Sequence, residues 1–184
     1  YLVLKKYKKK KYLSKNNNNF NRIKIIQSIL PSSKIIITFR DPIQHAQSLL
    51  EQHINFCELQ KNDEFILQYM NFLGHNEFGL NHISWNDPVE FSDKFSLNYW
   101  LEQWLLYYKN VIMILKPDSN IIFIDYEKFC TKQLNFENLN KKLNLKNEKI
   151  NFVFKLSKKK IKYKYDSNLL KNCIEIKSNL LNFL

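Results

Sequence analysis

Glycine is almost missing from this chain: Gly74 and Gly79 are the only two in 184 residues, and both fall in one short segment. A phosphate-cradling loop of the Walker A type needs several glycines at fixed spacing, so nucleoside-triphosphate hydrolysis through such a loop is excluded. Arginine is nearly as scarce, with Arg22 and Arg40 alone among 29 basic residues. Cys57, Cys130 and Cys173 are odd in number and far apart. That excludes a disulfide framework and a zinc-ligand spacing, and it points to a reduced compartment such as the cytoplasm. No apolar run approaches the roughly 20 residues needed to span a bilayer. The chain opens on Tyr1 without a signal-peptide pattern. The expectation is therefore that an amino-terminal piece, with any targeting segment, is missing.

What is present describes a folded chain. Hydrophobic residues make up 45% and aromatics 15%, which excludes disorder as a whole, and 184 residues suffice for one domain over 1–184. The formal charge of +12 would by itself suggest nucleic acid or another polyanion. Yet lysine, asparagine and isoleucine saturate the whole sequence, as in a compositional drift. The lysine runs Lys8–Lys11 and Lys158–Lys160 read as solvated surface, and no nucleic-acid partner is expected.

The pattern along the chain alternates strands and helices. The stretch to Lys11 reads as the end of a basic helix, Tyr12–Ser14 as a short strand, and Phe20–Leu30 as a helix stopped by Pro31. Lys34–Phe39 is a continuous β-branched run, the mark of a parallel strand buried on both faces. Asp41-Pro42 supplies an N-cap and a first-turn proline for the next helix. Further helices are expected around Phe65–Leu73 and over Phe95–Leu115, where Trp100 and Trp104 lie one turn apart on a core face. Asn120–Asp125 is a second buried strand, Tyr126–Phe129 opens a helix, and Asp166 caps a last one through Leu181. Such alternation implies an α/β fold with a parallel sheet flanked by helices, whose ligands sit beyond the carboxyl ends of the strands.

Two junctions meet that condition. After the first strand stands Phe39-Arg40-Asp41-Pro42, with Ser48 two turns up the helix. An arginine fork beside a helix amino terminus, with a hydroxyl on the same scaffold, suits a phosphate monoester. A pairing of Arg40 with a nearby carboxylate, with Ser48 an ordinary helix serine, is the alternative. The arginine, the proline two positions on and the serine eight positions on resemble the 3′-phosphate-binding segment of sulfotransferases. Lys15-Asn16-Asn17-Asn18 looks like that family's lysine-containing segment, and Asn120–Glu127 is similar to its later strand ending in a Tyr-Glu pair. The likeness covers roughly Tyr12 to Leu145. It implies a P-loop-like three-layer fold, 3′-phosphoadenosine 5′-phosphosulfate as sulfuryl donor, Arg40 and Ser48 as donor-binding residues, and no metal. The partners would be that nucleotide and a hydroxyl or amine acceptor, such as a glycan. The basic stretch Lys158–Lys160 is a candidate for the carboxyl-end segment that covers the 3′-phosphate in that family.

The family's phosphosulfate loop, of Pro-Lys/Arg-Ser-Gly-Thr type, has no match here. Pro31-Ser32-Ser33-Lys34 precedes the wrong strand and lacks glycine. First strand and loop are expected to precede Tyr1, leaving the chain itself inactive in transfer. The catalytic base is unassigned among His45, His53, His75 and His82. The segment Leu73–Gly79 gathers both glycines, His75 and Glu77, which makes it an acceptor-side loop or a plain turn. His45 and His53 read as helix-surface residues near the nucleotide or the core. A polyanion-binding domain and a non-catalytic remnant of the sulfotransferase fold stand as alternatives.

Overall fold

Two five-residue strands carry the architecture, β1 (Ile35–Phe39) and β2 (Ile121–Asp125), which pair in parallel with Ile35 opposite Ile121 and Phe39 opposite Asp125. The computed structural model describes residues 2–86, 89–114, 120–134, 136–145 and 154–184. Around the strands run α1 (Leu2–Lys6), a 3-10 helix (Asn17–Arg22), α2 (Ile23–Ile29), α3 (Pro42–Asn62), α4 (Glu64–Phe72), α5 (Leu97–Ile114), α6 (Tyr126–Cys130), α7 (Phe136–Lys142) and α8 (Ser167–Leu181). The mixed helix and strand class and the parallel pairing agree with the sequence pattern. A three-layer arrangement goes beyond what this two-stranded sheet displays.

Aspartate caps explain where three of the helices start, α3, α6 and α8. Asp41, Asp125 and Asp166 each accept a backbone N–H from three residues ahead, at 3.1, 2.7 and 2.7 Å. Each aspartate satisfies one of the amide groups that a helix start leaves unpaired. Helix α5 is the central element. It packs against α3 and against α8, and it buries Trp100, Leu101, Trp104 and Val111 almost completely. The expected core role of the two tryptophans is thus met.

Three expectations are corrected. Residues 12–14 form no strand, since no neighbouring strand offers their backbone a ladder and their side chains are exposed. The β-branched run pairs in parallel but is not buried on both faces: Ile37 and Phe39 enter the core with Phe123, while Ile36 and Thr38 stay exposed. Helices cover one face of this short sheet and leave the other half open. Nor is His53 a surface residue. It is 2% exposed, packed near Phe95, His82 and Trp100 at ring distances of 5.2–5.4 Å.

The buried polar groups around His53 are mutually matched. His53 Nδ1 accepts the Gly79 N–H at 3.2 Å, so the neutral ring carries its proton on Nε2, 3.6 Å from Cys57 Sγ. His82 Nε2 and Ser84 Oγ both hydrogen-bond the Tyr99 hydroxyl, at 2.7 and 2.6 Å. Gly79 has φ +91°, and a Cβ there would collide with the Gln60 amide, whose Oε1 accepts the Leu80 N–H. Gly74 also has positive φ, +68°, but faces open space. Gly74→Ala should therefore cost about 1–2 kcal/mol of left-handed strain. Gly79→Ala should cost a further 1–3 kcal/mol for overpacking, a difference that urea melts of the two variants would measure.

Burial, aided by the His82 ring and the Lys94 ammonium, holds His53 down to about 4. Burial and then Arg40 do the same to His45, also to about 4. In the unfolded chain both titrate near 6.5. Between those values the unfolded chain binds more protons than the folded one, so stability falls as pH drops through that window. The urea midpoint at pH 5 should lie below that at pH 7. His53→Gln, which keeps an acceptor for Gly79, should reduce the difference; an unchanged slope would contradict this role.

Candidate functional site

The pairing of Phe39 with Asp125 makes Arg40 and Tyr126 leave the sheet side by side. The Arg40 guanidinium lies over the Tyr126 ring, 5.0 Å from its centroid, a cation–π contact that orients the fork. Glu127, the next residue, ties the two junctions together. Its Oε1 accepts the Asp41 N–H at 3.1 Å, and its Oε2 accepts from Lys177 of α8 at 3.2 Å, with Asp41 Oδ2 3.9 Å from the same ammonium. The Tyr-Glu pair after β2 thus serves the arginine after β1. Arg40 itself pairs with no carboxylate among the described residues.

A carboxyl-side segment, residues 154–162, lies across this junction as a strap without regular secondary structure. Two glutamines of α3 hold it as surrogate peptide groups. Gln44 accepts the Lys159 N–H at 2.7 Å and donates to Lys159 O at 2.8 Å. Gln47, fully buried, accepts the Lys162 N–H at 3.1 Å and donates to Lys160 O at 3.0 Å. The Lys159 ammonium pairs with Glu51 one turn on. Arg40 donates to Ser157 O at 3.0 Å, and the Tyr126 hydroxyl accepts the Ser157 N–H at 3.2 Å.

Two cavities open beside this frame. The first, about 500 Å³, is lined by Arg40, Tyr126, Phe129, Cys130 and, from the strap, Phe154 and Lys155. The second, about 390 Å³, lies between α3, α5 and the 3-10 helix, with Lys15, Leu49, Gln52, Trp85 and Trp104 among its walls. Thr38 and His45 line both. The Arg40 Nε is buried and without a hydrogen-bond partner among the described residues. A guanidinium with an unused donor beside a cavity can take an anionic oxygen.

The residues expected from sequence are thus divided. Arg40 stands at the strand end on the wall of the first cavity. Ser48 does not line either cavity, and its hydroxyl donates to Gln44 O at 2.9 Å, the usual bond of a helix serine. Lys158–Lys160 are brought from far along the chain onto α3. His45 is half-buried between the cavities instead of standing on the surface. His75 is exposed and 3.4 Å from Glu77, while Phe78 of the same segment reaches the second cavity. Gln44 and Gln47 went unrecognised because a glutamine used as a peptide surrogate carries no periodic signal. Among the described residues no group of three His, Cys, Asp or Glu side chains could hold a metal ion, and no helix is long and apolar enough to cross a membrane.

No protein-family model, curated protein or solved structure matches the chain. Function must be read from the geometry of the site.

Gln47→Leu would strand the Lys162 N–H and release Lys160 O, two hydrogen bonds of about 0.5–1.5 kcal/mol each. If the strap depends on them, brief trypsin digestion should cut after Lys158–Lys160 roughly ten times faster than in the parent chain. Unchanged cleavage there would show that the strap is held otherwise.

Proposed function

We propose that the chain belongs to a sulfotransferase and that Arg40 addresses the 3′-phosphate of 3′-phosphoadenosine 5′-phosphosulfate. The observation carrying this reading is the Arg40 guanidinium itself. It is oriented by Tyr126, has an Nε without a hydrogen-bond partner among the described residues, and lines a cavity of about 500 Å³ beyond the carboxyl ends of parallel strands. That volume lies in the range of small-ligand sites, and the position is where open α/β sheets hold ligands. Phe129, Phe154 and Tyr126 offer ring faces for a base, while the strap brings Lys155 to the same cavity. The finer expectation of a three-layer P-loop-like fold belongs to this reading.

In the reaction, the donor's bond from sulfur to the bridging phosphate oxygen breaks, a bond from sulfur to the acceptor oxygen or nitrogen forms, and the acceptor loses its proton. The chain's own residues would do the binding and orienting. Arg40 would present two parallel N–H groups to the 3′-phosphate, and Tyr126 would keep their plane fixed. Lys155 would add charge, and Glu127 with Lys177 would hold the Asp41 turn in place. Ser48 could join only by exchanging its bond to Gln44 O for a ligand oxygen, so its share is the smaller. Gly74 and Gly79, the two glycines of the 184 residues, both lie in the segment after α4 and do not follow either strand, so the sequence offers no glycine loop for the 5′-phosphosulfate.

The test is calorimetry with nucleotides. Adenosine 3′,5′-bisphosphate should bind roughly tenfold or more tightly than 5′-AMP, which lacks the group Arg40 addresses; a charge-assisted contact contributes about 1.5–3 kcal/mol. Arg40→Lys should lose about 1–2 kcal/mol of that affinity with the melting temperature nearly unchanged. Ser48→Ala should lose less, about 0.5–1.5 kcal/mol. Equal affinities for the two nucleotides would sink the reading. So would a variant that loses stability but no affinity.

A further inference from the structure

We infer that Ser157 is a phosphorylation site, and that its phosphate, once added, is held by Arg40 and closes the first cavity to other anions. That the excluded anion is a nucleotide 3′-phosphate rests on the sulfotransferase reading; the capture by Arg40 does not.

Ser157 is where the strap touches the Arg40 junction. Its N–H donates to the Tyr126 hydroxyl at 3.2 Å, and its carbonyl accepts from Arg40 at 3.0 Å. Both backbone groups are pinned while the residue stays exposed. Its hydroxyl and that carbonyl branch from one Cα, so a phosphoryl group on Oγ has its oxygens within reach of the guanidinium already holding the carbonyl. The guanidinium carries a planar fork of N–H groups, of which the bond to Ser157 O uses one. Its Nε has no partner among the described residues. Arginine and phosphate pair through two parallel bonds, which makes this contact strong as well as directed.

Charge favours the product. A phosphoserine carries about −1.5 to −2 near neutral pH. Lys155 stands at the cavity wall, and Lys158 and Lys160 are exposed on the same strap. The nearby carboxylates have cations of their own: Asp41 and Glu127 face Lys177, and Glu51 pairs with Lys159. In the transfer itself the bond from the γ-phosphorus of ATP to its bridging oxygen breaks and a bond to Ser157 Oγ forms. The hydroxyl proton passes to the kinase's base, and ADP leaves. A kinase that selects basic flanks finds Lys155 two residues before the serine and Lys158–Lys160 directly after it. The hydroxyls of Ser28, Ser48 and Ser178, by contrast, are spent on helix carbonyls.

The experiment has two arms. In the first, the chain and its Ser157→Ala variant are incubated with ATP and the catalytic domain of protein kinase C, and phosphate is mapped by mass spectrometry. Phosphate at Ser157 is expected, and its absence there overturns the modification site. In the second, phosphoserine is encoded at position 157 and its phosphorus NMR signal is followed against pH. A neighbouring cation favours the doubly charged form, so the titration midpoint should lie about one pH unit lower in the folded chain than in concentrated urea. Arg40→Gln should remove most of that difference, with thermal melts recorded to show that the variant is folded. Equal midpoints with and without urea overturn the capture, whatever the variant does. A difference that Arg40→Gln leaves intact overturns it too. Calorimetry with adenosine 3′,5′-bisphosphate should find the phosphorylated chain roughly tenfold or more weaker than the unmodified one. Equal affinities defeat the closure. A shifted midpoint in a chain whose unmodified form binds no bisphosphate supports the capture and defeats the donor reading instead.

Discussion

The register of one parallel strand pair is the constraint from which the rest follows. Phe39 stands opposite Asp125, so residues 40 and 126 emerge at the same height and on the same edge. A slip of β2 by one residue would turn Phe123 out of the core, because side chains alternate faces along a strand. It would also carry Tyr126 away from the Arg40 guanidinium. Burial of Phe39 and Phe123, whose rings lie 6.4 Å apart, therefore fixes the geometry of the charged group just beyond them. Core packing and site geometry are one decision here, made across 86 residues of sequence.

Charge at this edge is arranged by carboxylates that do not meet the arginine. Asp41 and Asp125 are used as helix caps, and Glu127 spends its oxygens on the Asp41 N–H and on Lys177. Each carboxylate near Arg40 thus has partners of its own. The guanidinium is held by a ring face and a carbonyl, which orient it without neutralising it. A neutralised arginine would have little left for a phosphate. In a chain where lysine supplies nearly every other cation, a planar fork that stacks and bonds at once is what a lysine ammonium cannot replace.

Much of this was legible in the sequence, and the reason is local. Asp41-Pro42, Asp125 and Asp166 announce helix starts through capping chemistry that involves only the next three residues. The β-branched runs announce strands, and their parallel pairing follows from the helix between them. What the sequence hid is long-range. Whether Ile36 is buried depends on which helices cover the sheet, and too few do. His53 looks like any polar helix residue until Gly79, 26 positions on, presents its N–H. Ser48 fits the spacing of a phosphate-binding motif, yet its hydroxyl turns to Gln44 O, a choice that spacing cannot reveal. The strap could be guessed from its lysines, but what holds it is the amides of Gln44 and Gln47.

Helix α3 shows how so many tasks fit one element. At about 100° per residue, Ala46, Leu50, His53 and Cys57 form one stripe, all buried in the core. Gln44, Gln47 and Glu51 form a second, which binds the strap. His45, Leu49 and Gln52 form a third, which faces the second cavity. The three lie about 120° apart, so each stripe of the helix has a separate partner. Ser48 falls between the second and third stripes, which explains why neither partner claims its hydroxyl. Rotation of α3 is then set by the core stripe alone, where burial is complete at Ala46 and Leu50. The strap and the cavity inherit that angle. Any change that let the helix turn would disturb both cavities together, because His45 is part of each wall.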